Sequence, residues 1–272
     1  MGQLRQVTLQ TSGHRHGPIT RLINPGELGQ RLKPFVFLDY VDAVGGGGPK
    51  FGFHPHSGIA TLTYPLNFDI EHESSNGQID KVRRGGIEWS VAGSGIWHRA
   101  QPLPSDSLQA FQLWLALPPS HENASPVSRF IDSSEIITRG PVTVLLGSYL
   151  DIKSSIDSPV DATCLWVNLN DGESWTYEPP ASHEIAWAFS QNGVIALNGD
   201  ELTRELSIME EGCGPLNFSG NGDCSFLLGS AANFPYELSL GKHSVHTSIE
   251  ALERGCQRID EIGLELKREG KL

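Results

Sequence analysis

The chain has 272 residues, 38% hydrophobic and 19% charged, which supports a sizeable core and excludes a disordered or fibrous protein. With 20 basic against 32 acidic residues its net charge is −12, which argues against a general nucleic-acid or anionic-membrane surface, since those need clustered Lys and Arg. No run approaches the roughly 20 apolar residues of a membrane-spanning helix. Met1-Gly2-Gln3-Leu4-Arg5-Gln6 has no apolar signal core. Cys164, Cys213, Cys224 and Cys256 are sparse and form no Cys-x-x-Cys pair, as a reducing compartment would give. The expectation is a cytoplasmic protein with no direct nucleic-acid or membrane partner.

Taken in chain order, short apolar runs punctuated by Gly, Pro, Asn and Asp predict strands. In the first half these are Phe35–Asp39, Ile59–Leu66, Ile87–Ala92 and Leu108–Leu117. The stretch Pro118–Pro126 reads as a linker or exposed crossover. Strands resume with Val142–Gly147, Ala162–Leu169, His183–Phe189, Val194–Leu197, Glu205–Met209 and Ser225–Leu228. Thr247-Ser248-Ile249-Glu250 fits a capping box, and Ile249, Leu252, Cys256, Ile259 and Ile262 follow at helical spacing, which predicts one helix over about 248–268. The pattern indicates an all-β chain of two similar antiparallel barrels with a C-terminal helix, divided as 1–130 and 131–272.

The chemistry concentrates in Phe51-Gly52-Phe53-His54-Pro55-His56-Ser57-Gly58. Two His at i and i+2 on a strand face the same way, about 6.6 Å apart at Cα, so both imidazoles can reach one metal. A tight Gly turn in Gly93-Ser94-Gly95-Ile96-Trp97-His98 can return the chain so that His98 joins them. Three neutral imidazoles suit Fe, Cu, Ni or Zn. Trp89, Trp97 and Trp114 are candidates to wall an aromatic pocket, against a plain role as core filler. Gly45-Gly46-Gly47-Gly48 lacks the context of a phosphate loop and reads as a flexible loop. His72, His121, His183, His243 and His246 lack ligand spacing and read as structural or exposed. With no Gly-x-Ser-x-Gly elbow, a serine nucleophile is set aside.

The run His54-Pro55-His56-Ser57-Gly58, then Thr63-Tyr64, Gly86-Ile87-Glu88-Trp89, Ala92-Gly93-Ser94-Gly95-Ile96-Trp97-His98 and Gln109-Ala110-Phe111-Gln112-Leu113-Trp114 resembles the pirin family of the cupin superfamily, closely over about residues 34–118. The resemblance implies a bicupin with metal in the N-terminal barrel only, His54, His56 and His98 as ligands, and Fe(II) as cofactor. It also implies either quercetinase-like dioxygenase chemistry on a small flavonol, phenol or enediol, or a non-catalytic regulatory role with a protein partner. The family's usual metal-binding Glu, two residues past the third His, is here Ala100, and the other carboxylate found near a cupin His pair is replaced by Ala60. A three-imidazole site leaves a divalent ion with its full charge, which favours Ni, Cu or Zn over iron. Glu88 and Gln101 are conceivable substitutes for the acid. No general base is evident, and no catalytic residue is assigned.

Overall fold

The computed structural model describes residues 4–44 and 51–272, so the expectation for Gly45–Gly48 lies outside the described residues. Among the described residues the chain is all-β apart from the one-turn helix Leu28–Leu32, the 3-10 turn Ser133–Glu135 and the helix Ile249–Arg268. Every paired strand in its large sheets is antiparallel to its neighbour. Among the described residues no helix is long and apolar enough to cross a membrane.

Two compact units form, and neither is a continuous stretch of chain. One comprises Arg15–Glu135 with Pro235–Leu272, the other Met1–His14 with Ile136–Phe234. Sequence places the division at 130/131 and leaves the C-terminal helix with the second half. In the structure that helix packs on the strands Phe51–His56 and Ile96–Pro102 of the first unit. Long-range partners cause this, and a periodicity within one segment cannot reveal them.

The first unit holds a seven-stranded and a four-stranded sheet. The larger runs in the order Val127–Ile131, Ile87–Val91, Ile59–Pro65, Ser107–Ala116, Phe35–Val44, Ile19–Ile23, His14–His16. The smaller runs Phe51–His56, Ile96–Pro102, Ile70–Ser74, Ile79–Val82. All four strands of the smaller sheet, including both that carry the candidate ligands, escape a search for apolar runs because polar residues and Pro interrupt them. The long, unbroken burial of Phe35–Val41 and Ile59–Tyr64 marks the sheet that forms the barrel floor.

The second unit is built on a nine-stranded sheet in which Val7–Thr11 pairs with Leu206–Met209. The expected strands His183–Phe189 and Val194–Leu197 form one strand, Ile185–Leu197, whose register shifts near Asn192. Its interior is filled by stacked aromatics: Trp175 and Phe218 lie 5.5 Å apart, Phe218 and Phe226 4.7 Å.

The helix begins one residue later than the capping-box reading places it. Ser248 is the N-cap, its Oγ accepting from the Ala251 N–H at 3.1 Å. Thr247 turns to Glu122 instead, donating its N–H at 2.6 Å and its hydroxyl at 2.7 Å. Pro118–Pro126 is therefore no plain linker, because Glu122 is buried and anchors the start of the helix. Gly58 makes a second anchor. Its φ is +74°, and a Cβ there would collide with the Val245 carbonyl and the His246 ring.

Candidate metal centre

Antiparallel pairing builds the site. His98 sits directly opposite His54, and Ile96 opposite His56. Because alternate residues of a strand share a face, His56 joins the His54–His98 pair on one side of the sheet. One ring nitrogen from each of the three lies within 4.8 Å of the other two. Ring centroids are 4.4 Å apart for His54 and His98, 5.0 Å for His54 and His56, and 5.1 Å for His56 and His98.

The outer nitrogens are already engaged. His54 Nδ1–H donates to the Gly52 carbonyl at 2.8 Å, and His56 Nδ1–H to the His243 carbonyl at 3.3 Å. This leaves each Nε2 as a free lone pair, the tautomer a metal ligand needs. His98 turns Nδ1 towards His72 and Glu88, and its Nε2 is buried with no hydrogen-bond partner. An orphaned, buried imidazole nitrogen beside two others fits a cation site, since such a group is otherwise costly to bury.

Burial, with His98 close by, lowers His54 to about 4 and holds His56 well below the ordinary imidazole value. Both rings therefore stay neutral in the folded metal-free protein, whereas in the unfolded chain they protonate near 6.5. Between these values the unfolded state binds more protons, so the stability these rings contribute is present above pH 6.5 and is lost on acidification. His54 alone should cost roughly 2 kcal/mol between pH 6.5 and 5. Denaturant melts of chelator-treated protein at the two pH values check this. An unchanged pH slope in His54→Ala would refute it.

A cavity of about 670 Å³ opens over the three imidazoles, within the usual size of a small-molecule site. Trp114 lines it, stacked on Phe37 at 4.0 Å and set edge-on to His56 at 4.8 Å. The other two tryptophans do not. Trp89 is buried, next to Glu88 on its strand and so on the opposite face. Trp97 lies on the far face from His98 and donates its indole N–H to the Ile259 carbonyl at 2.7 Å, pinning the C-terminal helix. Ala100 lines the cavity, and Gln101 is exposed.

A row of polar side chains crosses the cavity floor, and apolar patterning does not disclose it. Consecutive register partners place Arg21 beside Asp39, Asp39 beside Gln112, Gln112 beside Thr63, and Thr63 beside Glu88. All five line the cavity. Arg21 forms a two-point ion pair with Asp39, and the Thr63 hydroxyl reaches Glu88 Oε2 at 2.8 Å and Gln112 Oε1 at 3.1 Å. Burial raises Asp39 despite Arg21. The available signal was a polar residue at an inward position of an otherwise apolar strand, as Asp39 is in Phe35–Val41.

Other histidines find definite partners. His72 is fully buried, with Nε2 3.0 Å from both Glu88 Oε1 and His98 Nδ1. Burial alone would lower His72 and raise Glu88, but their mutual attraction reverses both directions. His246 Nε2 meets Ser57 Oγ at 3.0 Å and its Nδ1 lies 3.3 Å from Glu122. That order resembles a nucleophile triad, yet Ser57 is fully buried and gives its proton to Ser244 at 2.7 Å, so the chain is a structural clasp. His183 lies between Ser230 and Asp161 in the second unit, His121 is exposed, and Arg99 pairs with Glu73 at 2.5 Å.

Residues 18–115 match the Pirin family model. The chain carries a Pirin domain. Its relatives include mouse Pirin, 28% identical over 76% of this chain and 73% of that protein. A Pseudomonas aeruginosa protein provisionally named a quercetin 2,3-dioxygenase is 26% identical over 88% of this chain and 91% of its own length. The fold matches the crystal structure of a quercetin 2,3-dioxygenase from Acinetobacter baumannii, with a TM-score of 0.86, 19% identity and coverage of 94% and 96%. It also matches the Escherichia coli pirin YhhW in complex with nickel(II), with a TM-score of 0.66, 20% identity and coverage of 85% and 99%. The architecture is thus that of the bicupins, and the Pirin domain contains all three imidazoles along with Glu88, His72 and Trp114.

Proposed function

We propose that this Pirin-domain protein binds one divalent transition metal through His54, His56 and His98 and uses it for dioxygenase-type oxidation of a small aromatic or enediol bearing adjacent oxygens. The supporting observation is the unpartnered, buried His98 Nε2 facing two imidazoles at the floor of an aromatic-lined cavity. When bound there, the metal would chelate the paired oxygens and acidify a hydroxyl among them. Both atoms of dioxygen would enter the substrate, so no external reductant is needed.

The protein's own groups have separable tasks. Trp114, backed by Phe37, whose other face is covered by Arg21, would pack against a planar ring and exclude water. The Gln112 side chain and the Arg21–Asp39 pair lie along the floor, where they would read peripheral hydroxyls of the substrate. Thr63 fixes the Glu88 carboxylate at the cavity floor through its hydroxyl.

Oxygen uptake with a panel of flavonols and enediols, in metal-loaded and metal-free protein, tests the proposal. Metal-dependent uptake is expected, with KM raised about tenfold in Trp114→Ala through loss of ring stacking. Metal binding without turnover of any substrate would favour a non-catalytic module recognised by a protein partner.

A further inference from the structure

A carboxylate stands one ring away from the three-imidazole site. Glu88 is 1% exposed, and its Oε1 lies 3.5 Å from His98 Nδ1 and 3.0 Å from His72 Nε2. It belongs to a group with His72 and His98, while His98 alone also belongs to the group with His54 and His56. The imidazole of His98 is thus the link between the two clusters: Nδ1 on the Glu88 side, unpartnered Nε2 on the other.

We propose that Glu88 is the acid of this centre and acts through His98. It orients the ring so that Nε2 meets the metal, and its charge polarises Nδ1–H to make Nε2 a stronger donor. The inference rests on the three-imidazole reading above.

Three features point this way. A fully buried carboxylate is costly unless a positive group answers it, and the groups seen paired with Glu88 among the described residues are the imidazoles of His72 and His98, with no Lys or Arg. The guanidinium at the far end of the polar row is committed to Asp39. Glu88 is also fixed in place, since the Thr63 hydroxyl binds Oε2 and leaves Oε1 aimed at the imidazoles without a hydrogen-bonded donor of its own. Finally, the positions from which an acid could reach the cation directly are vacated: Ala100, two residues past His98, lines the cavity with a methyl group. A carboxylate beside the outer nitrogen of a ligating imidazole, here 3.5 Å from His98 Nδ1 with His72 Nε2 nearer at 3.0 Å, raises that ligand's basicity and helps to fix its tautomer, and losing such a partner typically weakens metal binding 10–100-fold. Glu88 is therefore a positioning residue.

Ni²⁺ affinity of the full chain, measured by chelator competition, tests this with wild type, Glu88→Gln, Glu88→Gln/Ala100→Glu, His72→Ala and His54→Ala. Expected are one Ni²⁺ per wild-type chain, a loss of about 10–100-fold in Glu88→Gln, and at least tenfold recovery when Ala100→Glu restores an acid from the cavity side. The metal-free melting temperature of Glu88→Gln should fall, because the substitution removes the partner of the buried His72 imidazole, and Ala100→Glu should restore metal affinity without restoring melting. A purely structural Glu88 would lower melting and affinity together, with no recovery of affinity from an acid at position 100. Wild-type affinity in Glu88→Gln overturns the inference, as do two Ni²⁺ per chain with the second lost in His72→Ala, which would make Glu88 a direct ligand. If His54→Ala binds Ni²⁺ as tightly as wild type, the three-imidazole reading fails as well.

Discussion

His56→Ala is expected to weaken Ni²⁺ or Zn²⁺ binding by about two orders of magnitude or more, because two imidazoles cannot match the three-donor set that water must otherwise complete. His56 is 4% exposed, its Nδ1 tied to the His243 carbonyl and its ring set against Trp114. This candidate ligand is thus held in place before any metal arrives. Equilibrium dialysis against the metal, with exposed His121→Ala as control, measures the effect. Undiminished binding in His56→Ala would remove the basis of the proposed chemistry.

Glu122→Gln should be the most destabilising of the conservative substitutions, by about 3 kcal/mol. The carboxylate accepts from both the N–H and the hydroxyl of Thr247 and lies 3.3 Å from His246 Nδ1. An amide turns an NH2 group towards at least one of those donors, leaving buried groups unpaired at the point where the helix Ile249–Arg268 begins. For a chain of this size that corresponds to a fall of about 6–12 °C in melting temperature, accompanied by faster hydrogen exchange in the helix. Metal affinity should drop too, since the same C-terminal segment supplies the His243 carbonyl that orients His56. A variant that melts and exchanges like wild type would show that the clasp contributes nothing.

His54 and His56 were legible as a pair because their common face depends only on the period of a strand. His98 was legible through motif resemblance, and its register opposite His54 emerges only when two strands pair. Of the three tryptophans, Trp114 alone reaches the cavity. Side-chain parity relative to the barrel axis decides this, and composition carries no parity. His72 looked idle in sequence because its partners, Glu88 and His98, lie 16 and 26 residues away and meet it across different strands.

Local physics therefore suffices for what repeats locally. The short, punctuated apolar runs fix a β architecture, the spacing after Ser248 fixes a helix, and His-Pro-His fixes a two-imidazole face. Tertiary structure alone decides which segments share a unit, that a stretch resembling a linker buries Glu122, and that the Glu88 carboxylate lies 3.5 Å from His98 Nδ1. These depend on contacts between residues distant in the chain. Their free energy comes from burying and pairing charges in one low-dielectric interior, and no single segment has that interior by itself.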